Sequence, residues 1–108
     1  MNHIQLTPPA KKPPIKALLL HHFYQGGTLN RFEAIEQFNY KSLAEAISKF
    51  RAIHFLEFSR QSEFSRCQNN MTTICPRYWL TNNTENLEAA YHVLVHEFGY
   101  TPSFKPAA

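Results

Sequence analysis

The chain has 108 residues, 44% apolar, 18% charged and 14% aromatic, with a formal net charge of +3. That length holds one modest core without staples, and the balance is that of a globular chain rather than a disordered one. The small positive charge permits contact with nucleic acid without demanding it, and the apolar run "IKALLLHHF" is too short to span a bilayer. No small-residue cleavage site follows that run, so a secretory leader is not expected and the default compartment is the cytoplasm.

The spacing of breakers and caps divides the chain into an arm over 1–13, a domain over 14–82, and a C-terminal helix with tail over 83–108. The opening "MNHIQLTPPAKKPP" places four prolines ahead of any helical pattern and so predicts an extended, solvated arm. A first helix is expected from Pro14 or Ile15, burying Ile15, Leu18, Leu19 and Phe23 and ending at "QGG". His21 and His22 are consecutive within it, so at most one is expected to face the core.

Thr28-Leu29 can add a short edge strand. Asn30-Arg31-Phe32-Glu33 is a capping box, which starts a second helix over Arg31 to Phe38. That helix is expected to bury Phe32, Ile35 and Phe38. Asn39 tolerates the left-handed backbone that the corner "NYKS" needs. Ser42-Leu43-Ala44-Glu45 reads as a second capping box and opens a third helix over Leu43 to Ile53, burying Leu43, Ile47 and Phe50. Two capped helices joined by so short a corner form a helix-turn-helix pair.

After Ile53 the period changes to that of a strand. "HFLEFSR" places Phe55 and Glu57 on one face and Leu56 and Phe58 on the other, and "RYWLT" (Arg77 to Thr81) is its partner. Between them, "QSEFSRCQNNMTTIC" reads as a flexible wing. Thr84 or Asn83 caps a fourth helix over about 85–98, with Leu87, Ala90, Tyr91, Leu94 and Phe98 as its apolar stripe and Gly99 at its end. Val95 falls off that stripe and, if exposed, favours a homodimer through this helix. The tail "YTPSFKPAA" is expected to be loosely held. The predicted class is α+β: a winged helix-turn-helix, with a three-helix core, a two- or three-stranded wing sheet and an extra C-terminal helix.

"GGTLNRFEAIEQF", "SLAEAISKFRAI" and the strand ending in "RYWL" together resemble a family of small helix-turn-helix proteins encoded by bacteriophages and prophages. The resemblance covers roughly Ile15 to Thr81 and implies a winged helix that binds DNA. Asn39 and Ala46 depart from it, standing where the family often has glycine and arginine.

In such a pair the second helix lies in the major groove, with its N-terminal residues at base edges. The residues expected at DNA are therefore Tyr40, Lys41 and Ser42 at the corner and Ala44, Glu45, Ser48, Lys49 and Arg51 on the outward face. Arg60 and Arg66 join them from the wing. Lys41, Lys49 and Arg51 can neutralise phosphates or reach guanine, and Ser48 can meet either base type. Glu45 opposes phosphate contact, and the low charge leaves an alternative open: a phage-encoded inhibitor that docks on a host defence or nucleic-acid-processing complex, in the manner of an anti-CRISPR protein.

Nothing in the sequence points to catalysis. His92 and His96 share a helix face, but Val93 follows the first where the zinc-protease motif needs glutamate, and no third ligand is evident. Cys67 and Cys75 form no paired Cys-x-x-Cys unit, although they can meet across a hairpin. No glycine-rich phosphate loop is present, and neither cofactor nor metal is expected.

Overall fold

Caps and stops in the sequence become element boundaries in the computed structural model, which describes residues 4–66 and 71–102. In chain order these are β1 (Leu6–Thr7), α1 (Ile15–Tyr24), β2 (Thr28–Leu29), α2 (Arg31–Phe38), α3 (Leu43–His54), β3 (Phe58–Arg66), β4 (Thr72–Leu80), α4 (Thr84–His96) and β5 (Thr101–Pro102). The fold is α+β, with four helices and two small antiparallel sheets among the described residues. β4 is the centre of the larger sheet, in the order β2-β4-β3, and β1 pairs with β5 in the smaller one. No helix among the described residues is long and apolar enough to cross a membrane.

Rings hold the centre together. Phe58 meets Phe23 of α1 edge-on at 5.3 Å and stacks on Phe50 of α3 at 6.0 Å. These contacts seat α1 and α3 on the base of the hairpin formed by β3 and β4, with Ala90 and Leu94 of α4 buried in the same core. The buried face of α1 is wider than its expected stripe: Ala17, Leu19, Leu20, Phe23 and Tyr24 are enclosed, and Ile15 and Leu18 only half so. On α2 the closest approach falls at Ala34, the helix's one buried residue. Phe32 and Phe38 are left half-buried at the rim and Ile35 exposed, which corrects the expected burial.

Two expectations about the ends are also corrected. The arm is extended as predicted, yet not fully solvated: Leu6 is buried, opposite Pro102 across the small sheet. Tyr24 donates its hydroxyl to the Ile4 carbonyl at 2.7 Å. Tyr100 is buried against His21, with ring centroids 5.0 Å apart, so the start of the tail is fastened rather than loose. Residues 103–108 lie outside the described residues. Asn83, not Thr84, caps α4 by accepting from the Asn86 amide at 2.8 Å. Val95 is half-buried against the core rather than exposed, which removes the ground for pairing through α4.

The hairpin departs most from expectation. β3 begins at Phe58 because Phe55 closes α3 in a left-handed conformation (φ 57°), its amide donating to the Arg51 carbonyl at 3.1 Å. Leu56 and Phe58 are buried and Phe55 and Glu57 exposed, as the alternation predicted. Much of the segment expected as a loop is paired strand, in register from Phe58 opposite Leu80 to Arg66 opposite Thr72. β4 brings the β-propensity, with Thr72, Thr73, Ile74, Tyr78 and Trp79, and the largely polar β3 pairs along it. Cys75 is a buried free thiol opposite Glu63, and Cys67 lies outside the described residues.

Phe55 is 84% exposed, so no packing offsets its left-handed backbone. Phe55→Gly is expected to raise stability by about 0.5–1 kcal/mol in chemical denaturation. Gly27 is the opposite case: a Cβ there would collide with the His22 ring, which bonds the Thr28 carbonyl at 3.1 Å. Gly27→Ala is expected to cost about 1–3 kcal/mol in the same measurement.

Candidate nucleic-acid interface

The corner between α2 and α3 is built as the sequence suggests. Asn39 is left-handed (φ 53°, ψ 39°), and its amide and that of Tyr40 return to the Ile35 and Ala34 carbonyls. The second capping box does not form. Ser42 makes no side-chain cap bond, because its backbone (φ −116°, ψ 46°) is not the extended one that aims a hydroxyl at the next turn. Glu45 pairs instead with Lys49 one turn on, at 3.5 Å.

α3 buries Leu43, Ala46, Ile47 and Phe50. Its opposite flank presents Ala44, Glu45, Ser48 and Lys49 to solvent, continued at the corner by Lys41 and Ser42. Tyr40 departs from the expected set, since its ring packs partly against the core. Arg51 is exposed but anchored, donating to the Phe58 carbonyl at 3.0 Å. Strand alternation places Phe58, Arg60, Ser62 and Phe64 on one face of the hairpin, the face α3 packs against through Phe50. Arg60 is exposed there, just beyond the Arg51 anchor. Arg66 ends β3, and its side chain lies outside the described residues.

The flank and the hairpin face thus carry four cations (Lys41, Lys49, Arg51 and Arg60) and one carboxylate, Glu45. The same hairpin face also bears an apolar pair, Phe64 opposite Ile74, 76% and 62% exposed.

Behind this surface stands a charge network that sequence reasoning missed. Arg77 of β4 grips Glu33 with two bonds, Nη1 to Oε1 at 2.7 Å and Nη2 to Oε2 at 3.0 Å. Its Nε donates to Glu63 of β3 at 2.7 Å, and Nη1 also reaches Thr28 Oγ1 at 2.9 Å. Asn30 completes it: Oδ1 accepts the Glu33 amide and Nδ2 donates to Glu63 at 2.8 Å. The predicted Asn30–Glu33 capping box is therefore present and doubles as the socket for Arg77. Hydrogen bonding to Arg77 holds both carboxyls below the ordinary carboxylate range, with Asn30 assisting at each, and pushes the guanidinium's own pKa upward. An arginine inside the apolar run "CPRYWL" was the available signal. Its partner Glu63 was hidden because the segment around it read as loop.

No group of three or more His, Cys, Asp or Glu able to hold a metal lies among the described residues. His92 and His96 stack at 5.5 Å on the exposed side of α4. No protein-family model, curated protein or solved structure matches the chain.

Because folding depresses both carboxyl pKa values, the network's stabilisation is complete above pH 4.5, the ordinary value, and is lost as pH falls through the depressed ones. Thermal unfolding followed by circular dichroism should show a midpoint that drops as pH falls below 4.5. Arg77→Met should lower the neutral-pH midpoint and flatten that acid-side drop.

Proposed function

We propose that this chain is a winged helix-turn-helix protein of the phage and prophage type, which binds double-stranded DNA without catalysis and regulates transcription or a phage DNA transaction. The order helix, strand, helix, helix, hairpin, with the short strand on the far edge of β4, supports a winged helix. One observation carries the DNA reading. The bend at Asn39 leaves the Ala44–Ser48–Lys49 flank of α3 open to solvent, on the side where Arg60 extends it along the hairpin. In this reading Ser48 meets base edges, Lys41, Ser42 and Lys49 hold phosphate along the first turns of α3, and Arg51 and Arg60 neutralise the backbone beside the wing.

The exposed Phe64–Ile74 pair favours a second reading, an inhibitor that docks its wing on a host protein complex. Phosphate contact and apolar docking respond oppositely to salt, which separates the two.

Fluorescence anisotropy on a random duplex is the test. Four phosphate-neutralising side chains predict a slope of log K against log salt of roughly −3 to −4, with micromolar affinity at low salt. Lys49→Ala with Arg60→Ala should reduce the slope by about 2, and Glu45→Gln should tighten binding. Absence of binding at roughly 100 μM protein in low salt excludes the DNA reading.

A further inference from the structure

At the far end of α3 lies a groove that the DNA reading does not use. It is open, about 530 Å³ in volume, and runs between the α3–β3 connection and the first turns of α4. Phe55, Glu57, Glu85 and Ala89 line it. α3 has 12 residues, so the groove sits about 18 Å along the helix from the Leu43 end.

Three features of the groove are independent of one another. Phe55 is 84% exposed and left-handed, a conformation that its side chain disfavours and that no packing rewards. Glu57 and Glu85 are both exposed, and neither is in an ion pair among the described residues, in a chain whose net charge is +3. The floor is rigid: buried Asn86 accepts from the Glu57 amide and donates to the Glu57 and Thr81 carbonyls, each at 2.8 Å. The backbone carrying Glu57 is thereby fixed to the helix carrying Glu85.

We infer that this groove docks a protein partner through an arginine flanked by apolar side chains. An exposed ring face attracts a guanidinium, and two free carboxylates supply its charge and hydrogen-bond complement. Arginine fits better than lysine because its planar group stacks and forks at once. Nucleic acid and anionic lipid are disfavoured by the same two carboxylates. Occupation of this groove leaves the α3 flank free, so a partner and DNA bind at the same time.

The experiment titrates the full chain, labelled with nitrogen-15, with the blocked tripeptide acetyl-Leu-Arg-Leu-amide, watching amide shifts. A second arm uses the isosteric peptide with citrulline, which keeps the shape and removes the charge. The expected result is saturable shifts confined to residues 53–58 and 83–89, at millimolar peptide, with the citrulline peptide at least about five-fold weaker. Phe55→Gly, which relieves the backbone and stays folded, should weaken binding about five-fold, and the Glu57→Gln, Glu85→Gln pair should abolish the preference for arginine. Dispersed or non-saturating shifts, equal binding of the citrulline peptide, or unchanged binding by Phe55→Gly would overturn the proposal. So would shifts of the same amides with protein concentration alone, which would give the groove to a second copy. None of these outcomes bears on duplex binding, so the two proposals fail separately.

Discussion

One guanidinium ties the helical half of this protein to its hairpin. Arg77 sits on the central strand β4, yet its partners come from the start of α2, from β2 and from β3. An isolated exposed ion pair contributes little to stability. Here the side chains of Arg77, Glu33 and Glu63 are only 26%, 32% and 30% exposed, and the arginine holds one carboxylate with a two-pronged bond. One cation between two carboxylates leaves one negative charge in excess. The Asn30 amide and the positive end of α2 offset it, because Glu33 lies in that helix's first turn. The network has a structural consequence: the direction of the hairpin is set relative to α2, and through the tight corner at Asn39 relative to α3.

With the hairpin so held, the two ends of α3 have different characters. The first half carries Lys41 and Ser42 beside Glu45, which Lys49 offsets one turn on, and Arg60 adds a further cation on the hairpin. The far end has an exposed phenylalanine beside two free carboxylates. A small positive net charge had suggested a weakly committed surface. It conceals an uneven one, in which cations outnumber carboxylates along the α3 flank and two unpaired carboxylates stand at the groove beyond the helix's end. Net charge is a sum, and recognition depends on where the terms lie.

Much of the helical framework was legible in the sequence because caps and stops are local signals. Asn30, Asn39 and the glycines after Tyr24 acted as read, and the edge strand Thr28–Leu29 formed where expected. The misreadings have two physical causes: backbone geometry at the two ends of α3, and non-local partners in the hairpin and the arm. Ser42 lost its capping role to backbone geometry at the corner, and Glu45 turned to Lys49. Phe55 ended α3 in a conformation usually left to glycine, which shifted the start of β3. "QSEFSR" reads as loop in isolation and becomes strand only because "TTICPRYWL" lies alongside it in register. The arm was held by a two-residue pairing with a segment more than ninety positions away, from Thr7 to Thr101. On the candidate surface, exposure of Ser48 and Lys49 followed from helical periodicity, whereas Arg51's anchor on Phe58 and the inward lean of Tyr40 required the packed sheet.

The claim that Arg77 fixes the hairpin against α3 is tested most directly by a distance. Nitroxide labels at Ser48→Cys and Ser62→Cys, in a Cys67→Ser background, occupy exposed sites on α3 and on β3. Pulsed dipolar spectroscopy at neutral pH should give a single narrow distribution in this parent and a clearly broadened one when Arg77→Met is added. A distribution already broad in the parent, or one that the substitution leaves unchanged, would contradict the account.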